Sequence, residues 1–154
     1  GMTDGGIKPI AKHFPGIGYA TADPHGQLVQ VSDLKELKQR EFLPFRAAID
    51  AGIPAIMTTH AVIPDVTKGE PVTMSPEGVA LLREDLGFKG LIVTDSLIMG
   101  AIADSRTQSE AAVQALVAGN DVALISACCR AQTSRRGSRL RTPPRAVRSR
   151  HCMT

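Results

Sequence analysis

The residues with the strongest potential for chemistry begin in one short loop. Residues 12–25 read KHFPGIGYATADPH: a cationic pair comes first, a proline and two glycines follow, and an Asp-Pro-His triplet ends the stretch. Glycine and proline at this density predict a loop with special backbone angles. Ionisable side chains on such a loop, directly after a short apolar run, favour a role in binding or catalysis over a role in packing.

The triplet at the end of this loop has the residue types of an acid–base pair. A histidine imidazole titrates near pH ~6.5, so His25 can donate a proton to a leaving oxygen and later remove one from water. The carboxylate of Asp23 would orient that ring and favour its protonated form. The same spacing also fits an Asx-type turn in which Asp23 caps the turn and His25 is exposed. The triplet alone leaves both interpretations open.

Two further polar side chains come directly after apolar runs. Asp95 follows the run LIVT at residues 91–94, which is long enough only for a buried strand. A carboxylate held at a rigid strand end can act as a nucleophile and form a covalent ester, although it can equally cap a following turn. His60 follows the run PAIMTT at residues 54–59, which is also predicted to be a strand. It could support or contact a ligand, or it could be a satisfied polar group at a strand end.

The composition divides the chain into two unlike parts. The 154 residues include 18 Lys and Arg against 15 Asp and Glu, and 43% of the residues are hydrophobic, without an apolar run long enough to cross a membrane. Residues 127–154 contain eight arginines, all three cysteines and no acidic residue, so residues 1–126 carry 10 basic and 15 acidic residues, a net charge of −5. The change predicts a folded domain over residues 1–126 and a disordered basic tail over residues 127–154.

The tail raises the question of a nucleic-acid partner. Eight arginines without acidic neighbours could bind phosphates, as a disordered basic arm does. The abrupt change in composition, the clustered cysteines and the lack of a helical period favour instead a segment without selected structure. Nucleic acid is therefore not an expected partner, and neither is a membrane.

Strands and helices alternate along the first 126 residues. Strands are predicted at residues 7–13, 54–59, 91–95 and 121–125, with helices between them at residues 33–50, 75–86 and 108–118. Asp33 is the expected N-cap of the first helix, with Glu36 completing a capping box, and Pro44 is expected to interrupt that helix. Residues 61–74, which are polar and proline-rich, are expected to form a loop. This alternation predicts an α/β fold with a parallel sheet. Ionisable residues directly after strands suit the catalytic face of a (β/α)₈ barrel, but they also suit the ligand edge of a doubly wound sheet.

Several blocks of sequence resemble glycoside hydrolase family three, in particular its bacterial β-N-acetylglucosaminidase branch. They are KHFPGIG with the following DPH, LPFRAAIDAGIPAIMTTHAVIPDV at 43–66, LREDLGFKGLIVTDSLIMGAI at 82–102 and AGNDVALI at 118–125. The resemblance implies a partial (β/α)₈ TIM barrel, about strands five to eight. A whole barrel of this kind takes about 250 residues, so the first four strands are expected to be missing.

The resemblance also implies roles for individual residues. Asp95 matches the family's nucleophile, and His25 with Asp23 matches its acid/base pair. Lys12 and His13 match residues that contact sugar hydroxyls in the −1 subsite. His60 is a further candidate for sugar binding, and no metal or cofactor is implied.

The function implied is that of a retaining β-N-acetylhexosaminidase that acts on terminal β-linked N-acetylglucosamine, with peptidoglycan turnover as its setting. One alternative is a family-three β-glucosidase-like enzyme, which would have no need of the Asp-Pro-His triplet. Another is a non-catalytic remnant whose basic tail adheres to nucleic acid. Without a visible signal peptide the expected compartment is the cytoplasm. A half barrel with open strand edges is expected to be inactive and to associate edge to edge with a second copy.

Overall fold

The computed structural model describes residues 1–18, 20 and 28–126. The elements are, in chain order, β1 (Ile10–Phe14), β2 (Val29–Gln30), α1 (Leu34–Gln39), α2 (Phe42–Asp50), β3 (Ala55–Thr58), β4 (Ala61–Val62), a 3₁₀ turn (Val72–Met74), α3 (Pro76–Ala80) with a π-helical turn (Leu81–Asp85), β5 (Leu91–Thr94), α4 (Gly100–Ala103) and α5 (Gln108–Val117). Asp23 and His25, the predicted acid/base pair, lie outside the described part of the chain, and so does the predicted tail at residues 127–154.

A parallel sheet in the order β1-β3-β5 organises the fold. Ile56 of β3 is in register with Ile92 of β5, and Thr58 with Thr94. The fourth predicted strand appears only as a parallel bridge between Val93 and Val122. β3 and β5 lie where they were predicted, because each is a short apolar run bounded by turn residues, whereas β1 begins at Ile10 rather than at residue 7.

A second, two-stranded parallel sheet pairs β2 with β4. We had expected a loop from residue 61 to residue 74, yet Val62, Ile63 and Val72 are buried there. Prolines and polar residues interrupt the apolar pattern of this segment, so no local period marks it. Its strand forms through pairing with Val29–Gln30, which is distant in sequence.

Local capping explains where the first two helices begin and end. Asp33 caps α1, as predicted, because its Oδ1 accepts from the Glu36 N–H at 2.9 Å. We had expected the helix to break near Pro44, but α1 ends at Gln39 and Pro44 lies in the first turn of α2. A proline is tolerated in a first turn because its missing N–H would have no intrahelical partner there.

The larger hydrophobic core packs helix residues against the sheet. The ring centroid of Phe14 lies 5.2 Å from that of Phe42 and 5.3 Å from that of Phe45, which joins β1 to α2. Ile56 and Ile92 are fully buried in the same cluster. In the described residues, no helix is both long and apolar enough to cross a bilayer.

Candidate active site

The carboxyl ends of β1 and β5 bring His13 and Asp95 together. Because the strands are parallel, residues at their carboxyl ends meet at one edge of the sheet. Nε2 of His13 lies 3.7 Å from Oδ2 of Asp95, and the two side chains are 28% and 18% exposed. This distance is longer than a hydrogen bond but within the range of an ion pair when the imidazole is protonated.

The Asp95 carboxylate is held on one side by the backbone. The N–H of Asp95 donates to the Thr58 carbonyl at 2.9 Å, which continues the pairing of β3 with β5 beyond the last paired residues. The N–H of Ser96 donates to Asp95 Oδ1 at 2.7 Å. Oδ1 is therefore engaged, and Oδ2 is the oxygen that faces His13.

His60 is fully buried and contacts the backbone of Ser96, the residue after Asp95. Its Nε2 lies 3.0 Å from the Ser96 carbonyl oxygen, and its Nδ1 lies 2.9 Å from Thr73 Oγ1. Burial lowers the pKa of His60, and this effect outweighs the opposing effects of the Ser96 carbonyl and the Asp95 charge. The ring is neutral at pH 7, with its proton on Nε2, because a carbonyl oxygen can only accept.

The burial of His60 argues against direct contact with a sugar, which was one of the roles that the sequence suggested. Both of its ring nitrogens are bonded to other residues of the chain, and no part of the side chain is exposed. Burial of the histidine could not be read from the polar run Thr58-Thr59-His60, because the partner Thr73 comes from a distant turn. Of the two roles left open, the structure favours support of the site over contact with a ligand.

A buried amide extends the hydrogen-bond network behind His60. Oδ1 of Asn120 accepts from the Thr58 hydroxyl at 2.9 Å, while Nδ2 donates to the carbonyls of Thr73 at 2.9 Å and Ala115 at 2.8 Å. Neither Thr73 nor Asn120 was predicted from the sequence. The only available signal was an asparagine between Gly119 and the apolar segment that follows it.

Lys12 lies beside His13 on β1, and its side chain is exposed. Both residues line a cavity of about 530 Å³ between β1 and α2, which also contacts Glu41, Pro44 and Phe45. The peptide bond between Lys12 and His13 is cis. Asp95 does not line this cavity, so the cavity is separate from the contact between His13 and Asp95.

Gly16 allows the loop after β1 to pass close to α2. Its φ is +108°, and a Cβ built there would lie 2.6 Å from Cβ of Glu41. Only glycine fits this position without a shift of the neighbouring backbone. Asp23 and His25 follow further along the chain and lie outside the described residues.

The site can therefore offer a fixed carboxylate with one available oxygen, an adjacent imidazole and a nearby lysine. Among the described residues, no group of three or more His, Cys, Asp or Glu side chains could hold a metal ion. A parallel sheet with ionisable groups at its carboxyl edge is the arrangement found in barrel enzymes of the α/β class.

Comparison with known proteins identifies the family. Residues 1–139 match the Glycosyl hydrolase family 3 N terminal domain, and the chain belongs to this family. The beta-hexosaminidase LpqI of Mycobacterium tuberculosis is 35% identical over 130 residues, covering 80% of this chain and 34% of the relative. A beta-hexosaminidase of Neisseria meningitidis serogroup B is 37% identical over 129 residues, covering 81% and 35%.

Solved structures agree with this relationship. A glycoside hydrolase family 3 beta-N-acetylglucosaminidase from Paenibacillus sp. superposes with a TM-score of 0.77 at 40% identity, over 80% of this chain and 24% of that chain. The predicted family and the α/β fold of TIM-barrel type are thus confirmed. The chain spans about a third of the length of the curated relatives it matches.

Proposed function

We propose that these residues form the nucleophile-bearing half of a retaining glycoside hydrolase that removes terminal β-linked N-acetylglucosamine. The relatives named beta-hexosaminidase and beta-N-acetylglucosaminidase support the substrate class. Because the chain spans about a third of the curated relatives, the proposed activity is that of a barrel in which other strands complete the site. Within such a barrel we assign β1, β3, β5 and the segment around Val122 as strands five to eight, and residues 1–126 as the domain.

The observation that carries this proposal is the orientation of the Asp95 carboxylate. Its Oδ1 accepts from Ser96 N–H, which leaves Oδ2 free to attack and directs it toward the edge where His13 lies. A retaining enzyme needs such a fixed oxygen to form a covalent glycosyl ester, which water then hydrolyses. We assign Asp95 as the nucleophile.

The proposed acid/base pair is His25 with Asp23, on the loop that follows β1. An imidazole can protonate the leaving oxygen in the first step and accept a proton from water in the second. We assign Lys12 and His13 to sugar hydroxyls, because Nε2 of His13 lies 3.7 Å from Oδ2 of Asp95 and Lys12 is its neighbour on β1.

The test is substrate preference in a completed barrel, in which residues 1–126 replace the aligned segment of a full-length family relative. We expect hydrolysis of p-nitrophenyl N-acetyl-β-glucosaminide to exceed that of the corresponding β-glucoside by at least about tenfold, since the loop with Asp23 and His25 suits the first class. The parent relative serves as the control for folding and assembly. A folded chimaera that prefers the β-glucoside would replace this proposal with a β-glucosidase-like function.

A further inference from the structure

We propose that His60 is a positioning residue that fixes the direction of the Asp95 carboxylate through the backbone of Ser96. The inference rests on the proposed role of Asp95 as nucleophile. His60 does not reach the sugar in this account. Its task is to hold the backbone segment that carries the reacting oxygen.

The contacts form a continuous path from the imidazole to the carboxylate. Nε2 of His60 donates to the Ser96 carbonyl oxygen at 3.0 Å, and the Ser96 N–H donates to Asp95 Oδ1 at 2.7 Å. The two bonds restrain both peptide groups of Ser96, and the Met99 N–H also donates to the Ser96 carbonyl at 3.1 Å. With those peptide groups restrained, Oδ1 stays on the Ser96 amide and Oδ2 stays directed toward the open edge.

His60 is itself held from behind by a fully bonded polar network. Thr73 donates its hydroxyl to Nδ1 at 2.9 Å, and the carbonyl of Thr73 accepts from Asn120 at 2.9 Å. Asn120 is in turn bonded to the carbonyl of Ala115 in α5 and to the hydroxyl of Thr58 at the end of β3. Hydrogen bonds in a buried network of this kind are strengthened by the low local dielectric.

The chemistry of these partners requires one tautomer of the ring. Because the Ser96 carbonyl accepts only, Nε2 must carry the proton, and Nδ1 must accept from Thr73. A neutral histidine with both nitrogens hydrogen-bonded is a better anchor than glutamine, since its side chain has two rotatable bonds rather than three and a rigid separation between donor and acceptor. Gln is the substitution that comes nearest to it, because its side-chain nitrogen can donate to the same carbonyl.

A simple structural histidine would predict a different result from a positioning residue. A structural histidine stabilises the fold, so its loss lowers the amount of folded protein without changing the chemistry of the folded fraction. A positioning residue changes kcat in the folded fraction, because a carboxylate displaced by about 1 Å can lose roughly a hundredfold in rate. A sugar contact would instead raise KM.

The first arm of the test uses the full chain and does not depend on activity. Amide hydrogen exchange at Ser96 is measured by NMR in the wild type, His60→Leu, His60→Gln and Thr59→Val. Thr59 is the matched control, because its buried hydroxyl has no hydrogen-bond partner among the described residues and it neighbours His60. We expect exchange at Ser96 to accelerate at least about tenfold in His60→Leu, with His60→Gln intermediate and Thr59→Val unchanged.

The second arm measures kinetics in the completed barrel. We expect His60→Leu to lower kcat by about tenfold to a hundredfold with KM changed less than about threefold, and His60→Gln to restore a large part of the loss. Thr73→Val, which removes only the partner of Nδ1, should give a smaller loss and serves if His60→Leu fails to fold.

Each outcome decides one question. Unchanged Ser96 exchange in His60→Leu, or a loss expressed mainly in KM, overturns the positioning role. A completed barrel that folds but does not act on N-acetylglucosaminides overturns the proposed function alone, and the exchange arm still tests the link from His60 to Ser96. Equal losses in His60→Gln and His60→Leu would show that the donor to Ser96 is not what matters.

Discussion

Nε2 of His13 lies 3.7 Å from Oδ2 of Asp95, although β1 and β5 are not neighbours in the sheet. Strand β3 lies between them. The two residues meet because His13 is the last residue but one of β1 and Asp95 directly follows β5, so both stand at the carboxyl edge of the sheet. A sugar bound at this edge would therefore meet the carboxylate and the imidazole together.

Replacement of the proposed nucleophile should remove turnover, and a small anion should restore part of it. In the completed barrel we expect Asp95→Ala to lower kcat by about 10⁴-fold or more, because no glycosyl ester can form. Azide should restore part of the rate with an activated aryl glycoside and give the α-glycosyl azide. The control is Asp104→Ala, an exposed carboxylate after α4. Near-normal turnover without azide would remove Asp95 from the nucleophile role.

Loss of the proposed acid should depend on the leaving group. We expect His25→Ala to reduce kcat/KM about a hundredfold or more for a disaccharide, whose leaving oxygen needs a proton, and far less for a dinitrophenyl glycoside. Rates are compared across aryl glycosides of increasing leaving-group pKa. If the loss is the same for all leaving groups, His25 serves binding or folding rather than proton transfer.

Gly16 should resist substitution whereas Gly18 should not. Gly16→Ala places a Cβ 2.6 Å from Cβ of Glu41 at a φ of +108°, so we expect a loss of about 1–3 kcal/mol in the free energy of unfolding. A Cβ at Gly18 meets no atom within 4 Å, so Gly18→Ala is the matched control, with a change within about 0.5 kcal/mol. The measurement is urea denaturation. Equal midpoints for the two variants would contradict the close approach of the loop to α2.

Acid should destabilise the fold through His60. Burial lowers the pKa of His60 below its ordinary 6.5, so the unfolded chain takes up this proton first as the pH falls. The contribution to the free energy of unfolding is complete above pH ~6.5 and is lost as the pH decreases toward the folded-state pKa. The nearby Asp95 charge opposes the shift without reversing it.

The check is urea denaturation of the wild type and of His60→Gln between pH 7.5 and pH 5. We expect the stability difference between them to shrink, or to change sign, as the pH falls below about 6.5. The carboxyl of Glu77, whose pKa the Lys68 hydrogen bond lowers to about 2, titrates outside this window. A difference that stays constant over the range would mean that His60 takes up its proton equally in both states.

The sequence predicted the elements that are specified locally and missed those that depend on distant pairing. The strand before Asp95 and the cap at Asp33 follow from nearby residue types, and the structure has both. The pairing of β2 with β4 and the Thr73 partner of His60 join segments that are far apart in sequence, and no local pattern encodes them. His60 was recognisable from the sequence as a polar residue at a strand end. Its burial was not, because it depends on the contact with Thr73.

The central claim is that Asp95 becomes covalently glycosylated during hydrolysis of a terminal N-acetylglucosamine. The most direct measurement is to treat the completed barrel with a slowly released 5-fluoro N-acetylglucosaminyl fluoride and to locate the added sugar by peptide mass spectrometry. We predict a stoichiometric label on the peptide that contains Asp95, and no label in Asp95→Ala. A label on a different carboxylate, or active enzyme that hydrolyses its substrate with inversion of the anomeric configuration, would contradict the account.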